Sequence, residues 1–479
     1  MIKKDFFIHE LRLRPTPEQS KLMDIRLDVA RQLYNSCLGE VLRRLKKLKD
    51  SKLYKLAQRT STKKIKNKKF REARDAVSFT EYSLHKYLTK TYSNSWLTKY
   101  VDSLSAQKIA TRAFKAAEQY AFGKRGRPRF KSKNRFLSIE GKNNSAGIRL
   151  IDEKIIWSTK GGNKVVLKPI YDLKDKDGLE KYALSCNTKY VRLIRKSFNV
   201  WYAQLVQEGL SYLKPKHKLG SGTVGLDIGP STIAMVGDSE ANLEAFCTNV
   251  EDYRKDISKI QKRMSRSLRE RNPDNFENGV IKKNTNIWYK SKRYQILRKK
   301  VAELQRKMAA TRKRDHGSLV NKILGIGKFI KTEKLSYRSF QKNFGRSVGF
   351  RAPGLFLSKL RCKAESAGGE VVEFKTRSTM LSQICQCGYR KKKKLKERWH
   401  RCGNCGIYSQ RDLYSAFLAR YVIKDRLDIS QAQKAWVGVG TLLKQAMSKL
   451  NETAIGKIRF ASFGLGQSQS GLSVKEESV

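Results

Sequence analysis

The stretch Thr223-Val-Gly-Leu-Asp-Ile-Gly229 decides the fold, with a second apolar run, Thr232-Ile-Ala-Met-Val236, directly behind it. Both runs are short and apolar and are punctuated by glycine, the pattern of a buried strand. A buried strand does not normally carry a carboxylate such as Asp227 unless that group is paired or holds a metal. Taken alone, an Asp capping a turn at a strand end is the commoner case. The decision falls to the rest of the chain.

Downstream, a third run covers Leu243 to Cys247, and a strongly basic helical region covers about 250–316, broken near Asn272-Pro273. Within it Tyr294, Leu297, Val301, Leu304 and Met308 form one apolar stripe at helical spacing. Ile323 to Ile330 reads as a strand and runs into Lys331-Thr-Glu-Lys-Leu335. Leu355 to Ala367 reads as a helix closed by Gly368-Gly369, Glu370 to Lys375 as a strand, and a last helix begins near Arg411. The order is β-β-β-α-β-α-β, a cysteine-bearing insert, then α: that of an RNase H-like domain.

Asp227 then lies in the first strand, Glu333 just after the fourth, and Asp412 at the start of the last helix. Mg²⁺ is a hard cation that prefers oxygen ligands. Three carboxylates converging from these elements can hold two Mg²⁺ ions about 4 Å apart, one activating water and one stabilising the leaving 3′ oxygen of a phosphodiester. Singly, each acid suits a surface ion pair in so basic a chain. As a trio in these positions they read as a nuclease site.

Cys385-Gln-Cys387-Gly388 and Cys402-Gly-Asn-Cys405-Gly406 form two knuckle-like pairs, whereas Cys37, Cys186, Cys247 and Cys362 are isolated. Clustered thiols in a large chain point to a metal, and four thiolates make a structural Zn²⁺ site. The first pair has one spacer residue instead of two, which leaves His400 as an alternative ligand. Between the pairs, Lys391, Lys392 and Lys393 are candidate phosphate contacts or a solvated hairpin tip.

Upstream, Phe6 to Leu13 reads as a strand, and a helix opens at Thr16 or Pro17. The pattern stays helical to about Phe122, with a lysine-rich polar stretch over 61–71 read as a solvated face or loop. Gly123-Lys-Arg-Gly-Arg-Pro-Arg-Phe-Lys131 breaks the last of these helices, and Arg125, Arg127, Arg129 and Lys131 are candidate nucleic-acid contacts. From there to Leu210 the chain reads as β, with a Gly161-Gly162 hairpin turn, followed by a linker that begins at Leu213. The Gly/Ser/Gln-rich tail from Gly464 reads as disordered.

The chain has 103 Lys+Arg against 43 Asp+Glu, a formal charge of +60. Such a field repels itself, so a polyanionic partner is expected. No apolar run is long enough to span a bilayer and no signal-peptide pattern opens the chain, which makes nucleic acid the expected polyanion and the cytoplasm the expected place.

With these residues in view, the chain resembles TnpB, the transposon-encoded RNA-guided nuclease, and its relatives, the compact type V CRISPR effectors. Leu11-Arg-Leu-Arg-Pro-Thr-Pro-Glu-Gln19 with Leu33-Tyr-Asn35 is similar to the family's opening, and Gly126-Arg-Pro-Arg-Phe-Lys131 to its mid-chain signature. Gly225-Leu-Asp-Ile-Gly229 resembles the first RuvC motif and Lys331-Thr-Glu-Lys-Leu335 the second. Ser382 through Asp412 resembles the zinc ribbon plus the third. The resemblance implies an α/β multidomain protein: a wedge β-barrel with a helical recognition insert, plus an RNase H-like RuvC domain with an inserted zinc ribbon. The expected boundaries are 1–14 (first wedge strand), 15–122 (recognition helices), 123–212 (wedge barrel), 213–221 (linker), 222–375 (RuvC), 376–410 (ribbon, loading target nucleic acid), 411–463 (RuvC) and 464–479 (tail). It also implies a guide RNA, a double-stranded DNA target opened into an RNA–DNA heteroduplex, and Mg²⁺-dependent cleavage at one site, base pairing supplying the specificity. Two departures stand out: the one-residue spacer in Cys385-Gln-Cys387, and Tyr414 where the family has Asn two positions after the third acid. A nuclease-inactive, RNA-guided DNA-binding repressor is the alternative, opposed by the intact acid trio. A plain RNA-binding protein with a zinc ribbon would leave the acids idle.

Overall fold

Residues 6–13 alternate inward and outward as an antiparallel strand does, with Phe7, His9, Leu11 and Leu13 facing in. This computed structural model describes residues 5–454 apart from 161, 173, 197–198, 284, 286 and 395–396. The predicted tail from Gly464, the stretch 455–463 and Gly161 of the expected hairpin lie outside them. The chain divides into two units, Met1–Lys214 and Pro215–Val479, and the boundary falls within the stretch read as linker.

In the first unit, Phe6–Leu13 pairs with Val200–Glu208, which pairs with Thr188–Lys196 and onward to Ser138–Glu140, while Pro169–Ile170 adds the other edge. The strands Ile148–Ile151, Lys154–Ser158 and Lys164–Leu167 make a separate antiparallel meander. Where a single barrel was expected, two sheets share one core, joined by no ladder among the described residues. The physical reason is local: Asp152 and Glu153 both take positive φ, so the tight turn pairs these short strands with their own neighbours. The helix Pro17–Asp50 opens with a capping box, in which Gln19 N–H donates to Thr16 Oγ1 and Thr16 N–H to Gln19 Oε1, and Pro17 fills the first turn. The lysine-rich stretch is a solvated face, not a loop: it lies on the helix Lys63–Ala76, most of its lysines exposed.

The core of this unit contains a buried cation. Arg26 is fully buried, donates to the carbonyls of Trp157 and Asn163 at 3.0 Å each, and lies over the Trp157 ring. Trp157 Nε1 donates to Asp102 at 3.1 Å, and Asp102 accepts from the Ser105 N–H to cap the helix Ser103–Ala121. One helix, the small sheet and a second helix are thereby tied together.

The second unit is built on a five-stranded sheet in the order Ala241–Ala245, Thr232–Val236, Thr223–Ile228, Phe329–Glu333, Glu370–Phe374. The first three strands form an antiparallel meander, and the last two run parallel to the Thr223 strand. Parallel neighbours need crossover connections. These are the helices Arg254–Glu270 and Lys292–Ile326 before the fourth strand, and Tyr337–Arg351 and Pro353–Ser366 before the fifth. Val224, Leu226, Ile228, Ile233, Met235 and Ile330 pack with Val320, Ile323, Phe356 and Leu360 on one face. Ala234, Val236, Leu243 and Phe374 pack with Leu413, Ala416 and Phe417 on the other.

The predicted strand Ile323–Ile330 is corrected at its start: the helix continues through Ile326, about one more turn. Ile323 and Leu324 extend the buried stripe of the long helix from Val320, and the strand begins only at Phe329. The helix begun near Arg411 stops at Ala419, and Lys424 and Asp425 at positive φ turn a small hairpin before the next helix, Ile429–Ala454.

Candidate nuclease and metal centres

Strand alternation decides where the acids point. Val224, Leu226 and Ile228 face the long crossover helix, so Gly225 and Asp227 face the helix Arg411–Ala419. In the parallel neighbour, Lys331 pairs with Gly225 and Thr332 with Leu226, and one further step puts Glu333 beside Asp227, on the same face. Adjacent strands lie about 4.8 Å apart. Lys331 corroborates this facing: its Nζ donates to the carbonyls of Arg420 and Val422 at the helix's far end.

Gly225 explains how the helix comes so close. A Cβ there would stand 1.9 Å from the Ala416 carbonyl oxygen and 2.9 Å from Arg420 Cγ. Only glycine permits this approach. Ala416 thus rides over Gly225. One helical turn back is Asp412 and two residues along the strand is Asp227, comparable steps of about 6 Å and 6.7 Å. Asp227, Glu333 and Asp412 thus lie on elements that face one another at one end of the sheet, although among the described residues only the cysteines bring three or more ligand atoms within 4.8 Å of one another.

Electrostatics agree. Burial, then the Asp412 and Glu333 carboxylates, push Asp227 well above the ordinary carboxylate range, with Arg411 and Arg398 pulling the other way. Burial pushes Glu333 up to about 7 against a hydrogen bond from the Leu381 N–H. Asp227 and Glu333, pushed up by burial, have no cation of their own among the described ion pairs, and a hard divalent cation is the kind of charge such carboxylates take. Sequence reasoning missed Arg398 and the part played by Arg411. Arg411 Nη2 lies 3.1 Å from Asp412 Oδ1 and Arg398 Nη1 3.8 Å from Asp412 Oδ2. In the sequence Arg411 marks only where the last helix begins, and nothing local distinguishes Arg398 among so many basic residues.

The cysteines meet as expected. The sulfurs of Cys385, Cys387, Cys402 and Cys405 all lie within 4.8 Å of one another, with Cys385–Cys405 at 3.5 Å and Cys387–Cys402 at 3.6 Å. Bonds of about 2.3 Å to a tetrahedral metal would set sulfurs about 3.8 Å apart, so the short first loop still fits a four-thiolate site. Burial raises the Cys402 thiol, but the N–H groups of Cys405 and Asn404 bring it down to about 7. His400 stands outside this set. Its Nδ1 meets Lys393 Nζ, and burial lowers its pKa to about 4.

The candidate nucleic-acid contacts divide. Arg125, Arg127 and Arg129 are exposed, as are Lys391 and Lys392. Lys393 turns inward to His400, and its burial lowers it to about 8. Lys131 is held by its backbone: its N–H donates to Asn35 Oδ1 at 2.8 Å and its carbonyl accepts from Asn35 Nδ2 at 2.9 Å. The motif around Asn35 and the motif ending at Lys131 are therefore physically one piece. Beside them lies a cavity of about 640 Å³ lined by Lys108, Arg112, Lys115, Arg125, Lys131 and Arg192.

Residues 354–418 match the family described as Cas12f1-like, TNB domain. The stretch begins in the helix Pro353–Ser366, crosses the cysteine ribbon and ends in the helix bearing Asp412. No curated protein matches the chain. Among solved structures, a Cas12f1–sgRNA–target DNA complex aligns at 12% identity over 86% of this chain and 98% of that one, with a TM-score of 0.47. A CRISPR-Cas12f ternary complex aligns at 13% identity over 84% and 81%, with a TM-score of 0.27. The mini-RNA-guided endonuclease CRISPR-Cas_phi3 aligns at 13% identity over 60% and 58%, with a TM-score of 0.29. Among the described residues, no helix is long and apolar enough to cross a membrane.

Proposed function

We propose that this chain is an RNA-guided DNA endonuclease of the TnpB and compact type V kind, cutting its target at a single RuvC-like site. What supports the proposal is that Asp227 and Glu333 share one face of the sheet, that the helix bearing Asp412 packs on Gly225 of that face, and that the Glu333 and Asp412 carboxylates both raise the Asp227 pKa. Asp227, Glu333 and Asp412 would hold two Mg²⁺ ions, which when bound supply an activated water and a stabilised leaving oxygen. The chain's own part is to hold three acids at one place and to keep Arg398 and Arg411 against them, where they offset charge before the metals arrive.

Cys385, Cys387, Cys402 and Cys405 would hold a structural Zn²⁺, because four thiolates at tetrahedral spacing close the site against a fifth, reactive ligand. The ribbon, read as 376–410, would then fix how target nucleic acid approaches Asp412. The guide RNA would dock on the first unit, where the cations of the 640 Å³ cavity and the exposed Arg125, Arg127 and Arg129 present a basic surface. The net charge of +60 suits a protein that is rarely free of RNA and that engages double-stranded DNA as it opens.

The test is direct. Purify the protein with the RNA that accompanies it, sequence that RNA, and add a matched plasmid with Mg²⁺. Cutting that is lost in Asp227→Ala is expected. An uncut plasmid that is nonetheless bound would favour the non-cutting DNA-binding alternative. Cutting that survives in Asp227→Ala would remove the site assignment.

A further inference from the structure

The second cysteine pair shows what a two-residue spacer provides. In Cys402-Gly-Asn-Cys405, the Cys402 sulfur receives two backbone N–H groups, from Asn404 (3.4 Å) and from Cys405. In Cys385-Gln-Cys387 the loop is one residue shorter, and among the described contacts the Cys385 sulfur receives one backbone N–H, from Cys387. Its second polar partner comes from outside the ribbon. Tyr414 Oη lies 3.2 Å from Cys385 Sγ and 2.9 Å from the Gln386 N, whose N–H donates to it. A phenol has one proton to give. Because the Gln386 N–H already occupies an oxygen lone pair, the hydroxyl proton is free to point at the sulfur.

Tyr414 is held for this role. It is 1% exposed, stacks on His400 with ring centroids 4.2 Å apart, and meets Trp436 edge-on at 5.5 Å. It also lies two residues beyond Asp412 on the same helix. We propose that the Tyr414 hydroxyl is the donor that the shortened Cys385–Cys387 loop lacks, and that through it the metal-binding ribbon positions the helix carrying Asp412. The missing spacer residue and the tyrosine are then one feature: the hydroxyl supplies the contact that the shortened loop lacks. Tyr414 acts through the cysteine and through its helix, as a positioning residue. The inference rests on reading the four thiolates as a Zn²⁺ site and does not require that the protein cut DNA.

Partners of metal ligands are worth about 10–100-fold in metal affinity. Tyr414→Phe keeps the ring and removes the hydroxyl. In the full chain with its accompanying RNA, Zn²⁺ transfer to a chromogenic chelator should run about 10-fold or more faster in Tyr414→Phe than in wild type. With Co²⁺ as the probe, the thiolate-to-metal absorption band should shift. Inserting one glycine between Gln386 and Cys387 in the Tyr414→Phe background restores the second backbone N–H and should slow zinc loss again. A generally loosened core would not be repaired by that insertion. Cleavage by Tyr414→Phe should need more Mg²⁺ for half-maximal rate and recover at saturating Mg²⁺. Zinc retention in Tyr414→Phe equal to wild type overturns the proposal, as does an insertion that repairs nothing. Wild-type protein that holds zinc but leaves DNA intact overturns the nuclease reading alone, and the chelator comparison still decides Tyr414. Wild-type protein without zinc overturns the metal reading and this proposal together.

Discussion

Asp227 is out of place in a strand that otherwise packs as apolar core, and its surroundings make it still costlier. Burial and two neighbouring acids all disfavour its charged form. Metal binding reverses that cost, so Asp227→Asn should lower Mg²⁺-dependent cleavage by at least the about 100-fold that losing a mere partner of a metal ligand can cost. Plasmid cutting rates at fixed Mg²⁺ check it. Glu333 gives a stability test in the metal-free protein. Unfolded, its carboxyl titrates near 4.5; folded, burial holds it at about 7. Between those values the folded state binds more protons than the unfolded state, so stability should fall as pH rises from about 4.5 to about 7 and then level off. One pKa unit is worth about 1.4 kcal/mol, so Glu333→Gln should raise the metal-free unfolding free energy at pH 8 by about 1–3 kcal/mol and flatten the profile. Denaturant melts across that range check it, and stability that climbs with pH there contradicts it. That Asp227, Glu333 and Asp412 sit on neighbouring elements of one domain was legible from their places in a β-β-β-α-β-α-β order. Arg398 and Arg411 beside them were not, since a guanidinium's partner is set by packing and the chain has 103 basic residues to choose from.

At the scale of elements, the decisive contact is the helix Arg411–Ala419 lying on the Asp227 strand. Gly225→Ala would drive a methyl to within 1.9 Å of the Ala416 carbonyl oxygen. Neither backbone can yield without moving the whole helix, so the loss should reach or exceed the about 1–3 kcal/mol usual for overpacking. Asp412 would move with its helix, so cleavage should fall more than the melting temperature alone explains; thermal melts and cutting rates on the same sample check both. Periodicity located most elements, and where it erred the cause is plain. Ile323-Leu-Gly-Ile-Gly327 is apolar and glycine-punctuated, as strands are, yet Ile323 and Leu324 continue a helical stripe from Val320. A short apolar run supports either reading until its neighbours choose. Over 61–71 the run of charge left face and loop open, and packing of Phe70 on Tyr54 and burial of Ala73 settle it as the exposed face of a helix.

For the whole molecule the governing quantity is a charge of +60. Nucleic-acid affinity carried by released counterions should fall about 10³-fold or more between 50 and 200 mM salt if about 6–10 phosphates are contacted. Filter binding of the accompanying RNA across a salt series checks this, and a flat response would mean that the positive surface is not where RNA sits. That the chain's charge calls for a polyanion, that Asp227, Glu333 and Asp412 fall in one β/α order, and that four cysteines form one cluster were readable in the sequence alone. Charge adds up without a fold, while strand order and cysteine spacing are local properties of the chain. Tertiary structure alone decided that Asp227 and Glu333 share a face, because that depends on a parallel register between distant strands. It alone also set the helix of Asp412 against Gly225 and turned Tyr414 from an apparent loss into a hydroxyl on the Cys385 sulfur. Such contacts join residues far apart in the chain, and only the packing of one element on another brings them within reach.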